Sequence, residues 1–312
     1  MKPMIKYRGG KSKEIGHLAV HLPRFGGRYV EPFLGGGALF FHLEPTEAIV
    51  NDVNAKLMGF YDGVRNDYER LRRELDELED DYTRNRDEFD RRKMESPHER
   101  VEDENEELYY RLRSMYNGLR HKDYSDATLY YFINKTAYSG MIRFNSHGEY
   151  NVPFGRYAHL NTRAVTRGHS ALLQRATLMN TDYSDVFGLC HPDDFVLLDP
   201  PYDCTFSDYG NEQYRDGFDE SNHRRLASDF ANLPCRALMV IGRTPLTTEL
   251  YGGRIVDEYA KSYAVNIRNR FKASASHIVV TNYRKSHMED MTTRNEVAAP
   301  MLFEPTGKYG ND

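Results

Sequence analysis

The first 52 residues alternate between strand and helix signals, and this alternation constrains the fold more than any other feature of the chain. A short extended run at 28–30 ends in Glu31-Pro32, and Gly35-Gly36-Gly37 then leads into an apolar helical stretch. A second apolar run at 48–50 is closed by Asn51-Asp52. The order of strand, glycine turn, helix, strand and acid is typical of the opening of a doubly wound α/β domain.

The α/β pattern returns late in the chain, after a long helical interruption. Further apolar strands are predicted at 195–198, 237–241 and 276–283. Residues 62–135 carry apolar side chains at steps of three and four, which predicts helices with one buried stripe. Within them, Ser96-Pro97-His98-Glu99 has the form of a capping box that starts a new helix at its proline. The stripe of that helix is formed by Leu108, Leu112, Met115 and Leu119.

A turn sequence between two aromatic runs follows the helices. The residues Asn-Ser-His-Gly-Glu-Tyr-Asn at 145–151 predict a β-hairpin. We therefore expect a sheet domain formed by 1–61 and 164–285, into which 62–163 inserts a helical and hairpin domain. Residues 286–312 show little periodicity and are expected to form a loose tail.

The charge of the chain is concentrated in the helical insertion. The 312 residues have a formal net charge of −5, and residues 65–120 hold 13 basic against 18 acidic side chains. This excludes a globally basic nucleic-acid-binding protein, although a local basic groove remains compatible. The chain lacks a long apolar run and an apolar N-terminal stretch, so we expect a cytoplasmic protein without membrane contact. Its three cysteines form no Cys-x-x-Cys pair, and no metal site is expected.

The strongest chemical signal is Asp199-Pro200-Pro201-Tyr202, directly after the strand at 195–198. Ligands of doubly wound folds bind at the carboxyl ends of strands. Consecutive prolines fix the backbone and remove two N–H donors, so the Pro200 carbonyl points away from any strand ladder. Together with the Asp199 carboxylate and the flat face of Tyr202, this arrangement suits an exocyclic amine on a planar ring. A purely structural acidic turn is the simpler alternative.

The glycine run is the second chemical signal. Gly35 and Gly37 allow a ligand to approach the backbone closely at a helix N-terminus. Phe40 stands where the NAD fingerprint requires glycine, which disfavours dinucleotide binding. Asp52, at the end of the next strand, is suited to accept hydrogen bonds from ribose hydroxyls, with a helix N-cap as its alternative role.

Several motifs in this order resemble the Dam-type DNA adenine-N6 methyltransferases of the D12 class, alpha group. They are Lys6-Tyr7-Arg8-Gly9-Gly10-Lys11, EPFLGGGALFF at 31–41, NDVN at 51–54, NKTAYSGMIRFNSHGEYNVPFGRY at 134–157 and DPPY at 199–202. The likeness covers nearly the whole chain to 283 and is clearest to enzymes that methylate GATC. It implies a Rossmann-like methyltransferase fold, S-adenosylmethionine as cofactor and duplex DNA as substrate. DPPY, rather than SPPY or NPPY, implies transfer to adenine N6 in a base flipped out of the duplex.

The resemblance also implies roles for individual residues. The residues that act on the adenine would be Asp199, Pro200 and Tyr202. The residues that bind the cofactor would be Tyr7, Lys11, Phe33, Gly35, Gly37, Asp52, Asp182 and Tyr183. The residues that contact DNA would be Lys6, Tyr138, Ser139, Met141, Arg143, Pro153 and Arg156. Among these, Arg143 would read guanine in the major groove, Tyr138 would insert into the duplex, and Arg156 would contact phosphate.

Three features depart from the family pattern. Ser139 replaces a common Asn beside the flipped base, Arg8 replaces a small residue near the cofactor, and the helical insertion is longer and more acidic. Two other functions stay open from the sequence, namely adenine methylation of RNA and DNA binding with vestigial catalysis. A cognate restriction endonuclease would be a partner compatible with the resemblance, and the oligomeric state is open.

Overall fold

The computed structural model describes residues 1–7, 9–202, 218–261 and 275–284, so Arg8 and the predicted tail at 286–312 lie outside the described residues. The described part contains a seven-stranded sheet of order β3-β2-β1-β4-β5-β7-β6. The first five strands in this order are parallel, and β7 is antiparallel to both of its neighbours. The strands are β1 (Tyr29–Glu31), β2 (Ala48–Asn51), β3 (Ala176–Met179), β4 (Phe195–Leu198), β5 (Arg236–Gly242), β6 (Ile255–Lys261) and β7 (Ala275–Thr281).

The strand order confirms the predicted Rossmann-like α/β fold. Every residue of β1, β2 and β4 is buried, as parallel strands covered on both faces require. These strands share one core with β5 and β7. The described helices are α1 (Ile15–Ala19), α2 (Ala38–Leu43), α3 (Ala55–Asn66), α4 (Tyr68–Glu95), α5 (Glu104–Tyr116), α6 (Asp126–Thr136), α7 (Arg167–Gln174), α8 (Tyr183–Phe187), α9 (Glu220–Ala231) and α10 (Pro245–Tyr251).

The helical interruption forms a second core. Helix α4 buries Leu71, Leu75, Leu78 and Tyr82, whose steps of four and three are those predicted for a helix with one buried stripe. Leu78 and Tyr82 of this helix pack with α5, α6 and residues 150–154 in one apolar cluster. Residues 1–282 form one compact unit, and the division of the chain into a sheet domain and an inserted domain stays a prediction. No helix in the described ranges is long and apolar enough to cross a bilayer.

The prediction that a helix starts at Pro97 is wrong. Ser96 ends α4, since its N–H bonds to the carbonyl of Arg92, and α5 begins only at Glu104. Asp103 caps α5 by accepting a hydrogen bond from the Asn105 N–H at 3.1 Å. Three glutamates in the first turn stabilise the helix through their interaction with the positive end of its dipole. At its other end α5 stops at Tyr116, so Leu119 is 61% exposed instead of continuing the stripe.

The predicted hairpin is present as a tight turn with isolated bridges rather than paired strands. Phe144 and Tyr150 form one antiparallel bridge, and the Asn145 N–H donates to the Glu149 carbonyl at 2.8 Å. The Asn145 side chain accepts from the backbone N–H groups of His147 (3.0 Å) and Glu149 (2.9 Å), which is how Asn stabilises turns. We call residues 141–154 the hairpin.

Candidate active site

A cleft of about 890 Å³, its open mouth included, lies at the carboxyl ends of β1 and β4. After β1 the chain adds β2 and β3 on one side of the sheet, and after β4 it adds β5 on the other side. Doubly wound folds bind ligands at such a reversal of strand order. Its lining comes mainly from three segments far apart in sequence, namely 7 with 9–11, 31 with 33–39, and 197–202, together with Leu18, Asp52, Val53 and Val240. The structure thus brings together residues of the N-terminal motif, the glycine loop and the DPPY motif.

The glycine loop is shaped by its backbone and by its neighbour Tyr7. Gly35 and Gly37 have φ of 48° and 63°, in the left-handed region that glycine adopts without strain. A Cβ on Gly35 would lie 2.7 Å from the Tyr7 ring, so only glycine allows this ring to pack on the loop. The loop is tied down by Tyr61, whose hydroxyl donates to the Gly35 carbonyl at 2.8 Å.

Asp52 holds the other side of the loop. Its two carboxylate oxygens accept from the backbone N–H groups of Gly35 and Asn54, both at 2.9 Å. Burial raises the pKa of Asp52, and these two hydrogen bonds oppose the rise. The helix-cap alternative is wrong, because Asn54 is the residue that caps α3, accepting from the Leu57 N–H at 3.1 Å. Asp52 is therefore a carboxylate held in the cleft wall.

The carboxylate of Asp199, which is half-buried, forms an ion pair with the buried ammonium of Lys11. The Lys11 Nζ lies 2.6 Å from each Asp199 oxygen and donates to the Gly9 carbonyl at 2.9 Å. Tyr202 completes the group, since its hydroxyl lies 3.4 Å from the Asp199 Oδ1 and its ring centre 5.0 Å from the Lys11 Nζ. A carboxylate with a compensating ammonium beside an aromatic face can accept hydrogen bonds from a planar amine.

Glu31 is a site residue that the sequence reasoning missed. It ends β1, lines the cleft and is 3% exposed. Burial raises its pKa to about 8, against a lowering hydrogen bond from Tyr29 (2.8 Å), and the charges of Asp199 and Asp52 add to the rise. An acid as the last residue of a buried strand at the ligand-binding edge of the sheet was the available signal.

The cleft is electrostatically unbalanced. Among the described residues that line it, Glu31, Asp52 and Asp199 are acidic and Lys11 alone is basic. Because Lys11 is committed to Asp199, the other two carboxyl groups face the cleft without an ammonium or guanidinium partner in its described lining. This arrangement favours a ligand that carries positive charge.

Asp182 and Tyr183 do not line the cleft. Asp182 caps α8 and forms an ion pair with Arg225 at 3.0 Å. The Tyr183 hydroxyl donates to Asp229 at 2.8 Å, and its ring packs behind Phe33 at 5.4 Å between centres. Phe33 does line the cleft, so Tyr183 supports its wall from behind. The contact of Asp182 and Tyr183 with the cofactor stays a prediction.

Most of the predicted DNA-contacting residues cluster around the end of α6 and the hairpin. The Tyr138 N–H donates to the Pro153 carbonyl at 2.9 Å, and the Tyr150 hydroxyl donates to the Met141 carbonyl at 2.6 Å. Tyr138 and Met141 are 47% and 38% exposed, so both side chains are accessible to a ligand at this end of α6. Ser139 has φ of 54° and ψ of 14°, a left-handed conformation that Asn adopts more readily than Ser.

Lys6, Arg143 and Arg156 differ in their surroundings. Lys6 donates to the Lys135 carbonyl at 3.3 Å and packs so closely on Gly140 that a Cβ there would lie 2.9 Å from its Cδ. Arg143 is held on the hairpin by Asn151, whose side-chain oxygen accepts from its Nε at 2.7 Å. Arg156 instead forms an ion pair with Glu106 at 2.8 Å.

The strand order, the glycine loop and the DPPY motif at the sheet edge define a Rossmann-like methyltransferase. The family model for D12 class N6 adenine-specific DNA methyltransferases matches residues 7–267, and the chain belongs to this family. It is therefore an adenine-specific DNA methyltransferase, and a methyl donor is implied for the cleft.

Relatives that are named as methyltransferases or methylases match most of the chain. The Type II methyltransferase M.CviBI of Paramecium bursaria Chlorella virus NC1A is 31% identical over 291 residues, covering 91% of this chain and 100% of the viral protein. The Type II methyltransferase M.MjaIII of Methanocaldococcus jannaschii is 29% identical, covering 81% of this chain and 87% of its own. The DNA adenine methylase of Salmonella typhi is 28% identical, covering 88% and 90%.

Proposed function

We propose that the protein transfers a methyl group from S-adenosylmethionine to N6 of an adenine flipped out of duplex DNA, with GATC as the leading recognition site. The observation that carries this proposal is the partly buried ion pair of Asp199 and Lys11 beside Tyr202, in a cleft whose remaining carboxyl groups favour a cationic ligand.

The cleft fits S-adenosylmethionine by charge and by backbone shape. This cofactor, when bound, supplies a methyl group on a positively charged sulfonium. Its ammonium group suits Glu31, whose carboxyl would ionise opposite a cation. Each oxygen of Asp52 uses one lone pair on a backbone N–H and can accept a ribose hydroxyl with the other. Gly35 and Gly37 let the ligand approach the backbone.

The residues of the DPPY motif act on the amine. An exocyclic amine is a poor nucleophile because its lone pair is conjugated into the ring. Hydrogen bonds from its two N–H groups to the Asp199 carboxylate and the Pro200 carbonyl free that lone pair and stabilise the positive charge that grows on nitrogen. As the methyl group passes from the sulfonium to N6, the sulfur keeps the electrons of the broken S–C bond and leaves as the neutral thioether, and N6 loses one proton from the side that faces Asp199. Tyr202 stacks on the base, a contact worth about 1–3 kcal/mol. Lys11 holds Asp199 in place through the 2.6 Å ion pair.

The hairpin and Tyr138, which precedes it, support duplex DNA as the substrate. Exposed Tyr138 and Met141 are suited to insert between base pairs and to contact bases, respectively. Arg143 carries the guanidinium fork that pairs with guanine O6 and N7. The Type II names of the relatives support a place beside a cognate restriction endonuclease.

The test is methyl transfer to matched oligonucleotides by the purified protein. The comparison uses three substrates, each with labelled S-adenosylmethionine. They are a DNA duplex that contains GATC, a DNA duplex of the same composition whose adenines lie outside GATC, and an RNA of the same sequence as the first duplex. We expect label in the first duplex, its loss in Asp199→Asn, and near wild-type transfer in Asp257→Asn, a control whose carboxylate lies 3.1 Å from the His21 Nε2 outside the cleft. Preferential labelling of RNA, or a fully active Asp199→Asn, would contradict the proposal.

A further inference from the structure

A buried hydrogen-bonded cluster lies beside the DPPY motif and has no part in the chemistry described above. The Glu14 carboxylate accepts a hydrogen bond from the Tyr259 hydroxyl at 2.5 Å and pairs with the His277 Nδ1 at 2.8 Å. All three side chains are buried, and Tyr259 and His277 are cross-strand partners in β6 and β7. We call these three residues the Glu14 cluster. A buried polar group of this kind holds its members in one geometry when its hydrogen bonds are satisfied.

The Glu14 cluster contacts Tyr202 directly. The rings of His277 and Tyr202 meet edge to face, with centres 5.0 Å apart and planes at 74°. Gly242 is the partner of His277 across β5 and β7, and a Cβ at Gly242 would lie 3.8 Å from the Tyr202 ring. The Tyr202 ring therefore rests on a sheet surface formed by His277 and Gly242.

The cluster is also joined to the Asp199 ion pair. Lys11 and Glu14 belong to one turn, in which the Glu14 N–H donates to the Lys11 carbonyl at 2.7 Å. One end of this turn places the Lys11 ammonium on Asp199, and the other end places Glu14 on His277. The two halves of the DPPY motif, the acid and the ring, are thus held by the same short segment.

We propose that His277, held by Glu14, is a positioning residue that fixes the orientation of the Tyr202 ring on which the target adenine stacks. The inference rests on the proposed function, in which Tyr202 is the stacking face. His277 lies behind Tyr202 rather than in the lining of the cleft, so its loss should lower kcat and leave the KM for the cofactor unchanged.

The experiment compares His277→Leu, His277→Gln and a control, His169→Leu. Gln keeps an N–H donor for Glu14, whereas Leu keeps bulk alone. His169 is also buried and hydrogen-bonded, to Thr166 and to the Lys2 carbonyl, but it lies in α7. An edge-to-face ring contact corresponds to about a three- to tenfold change in rate. We expect that loss of kcat in His277→Leu, partial rescue in His277→Gln and the wild-type value in His169→Leu.

Two further measurements separate positioning from general damage. With 2-aminopurine in place of the target adenine, fluorescence of the ternary complex should be higher in His277→Leu, since a loosely stacked base is less quenched. In a Tyr202→Ala background, His277→Leu should lower kcat no further, because the ring that it positions is gone.

The outcomes distinguish this proposal from the proposed function. An unchanged kcat in both His277 variants, or an equal loss with and without the Tyr202 ring, would overturn the role of His277. A wild-type rate in Tyr202→Ala alone would instead overturn the stacking role of Tyr202. If His277→Leu does not fold, His277→Gln and Glu14→Gln decide the question by the same two readouts.

Discussion

Glu31 is expected to destabilise the protein without its cofactor at neutral pH, and replacing it with Gln should make the free protein more stable. Its carboxyl is buried and its pKa is raised to about 8 from an ordinary value of 4.5. The folded state therefore holds the proton more tightly than the unfolded state does. The stability that this proton provides is complete below pH 4.5 and is lost as the pH rises towards 8.

The size of the effect follows from the two pKa values. Each pH unit between 4.5 and about 8 corresponds to roughly 1.4 kcal/mol, so the whole interval corresponds to roughly 5 kcal/mol. Glu31→Gln, which stays neutral, should match the wild type near pH 4.5. Its advantage in the free energy of unfolding should then grow by roughly 1.4 kcal/mol per pH unit and level off above pH 8.

Denaturant unfolding at a series of pH values measures this difference. Glu74→Gln is the matched control with the opposite sign. Burial raises the pKa of Glu74, but hydrogen bonds from Thr128 and Ser125 outweigh it and leave the pKa lowered. Glu74→Gln should therefore lose stability above pH 4.5, where the wild-type carboxylate is ionised in both states.

The same carboxyl links cofactor binding to pH. A cation in the cleft favours ionised Glu31, so the affinity for S-adenosylmethionine should rise up to about tenfold per pH unit between roughly pH 5 and 8. Calorimetry on Glu31→Gln should show weaker binding with a flat pH profile. Unchanged stability at pH 8 together with unchanged affinity in this variant would refute the reasoning.

The remaining predictions concern the cofactor wall and the hairpin. Asp52→Ala should weaken S-adenosylmethionine binding by roughly 1.5–3 kcal/mol, measured by calorimetry, and unchanged affinity would leave Asp52 with only its role in holding the loop. Arg143→Ala should reduce discrimination at a guanine by about 1–3 kcal/mol without stopping methyl transfer, whereas Tyr138→Ala should slow transfer at every site, and competition between related duplexes distinguishes the two. Ser139→Asn should raise the free energy of unfolding by up to about 1 kcal/mol, and with it the melting temperature, because Asn tolerates the left-handed backbone at φ 54°. A lower melting temperature would contradict this prediction.

The sheet and the motif at its edge could be predicted from sequence because their signals are local. The strand at 195–198 has its predicted bounds, since four consecutive apolar residues end at an acid and two prolines. The parallel order of the sheet followed from the alternation with helices. The start of α5 was mispredicted because two capping signals compete there, and the Asp103 side chain with the glutamates after it forms the helix start in place of Ser96-Pro97.

The interactions across the cleft could not be predicted, because they join residues distant in sequence. The pair of Lys11 and Asp199 spans 188 positions, and Glu14 meets His277 across 263. The place of Glu31 at the end of a buried strand is visible in the sequence, but the charges of Asp199 and Asp52, which add to the rise in its pKa, come from other parts of the chain. Asp182 and Tyr183 match a family segment, yet their side chains are engaged by Arg225 and Asp229 behind the cleft wall.

Single-molecule sequencing across all adenines, on DNA from cells that express the protein, tests the central claim most directly. Cells with Asp199→Asn provide the background. The account predicts N6-methyladenine at one short site that contains guanine, GATC in the leading case, and none above background in the variant. Methylation at sites without guanine would refute the role of Arg143. The absence of N6-methyladenine in cells that contain the folded protein would contradict the proposed chemistry.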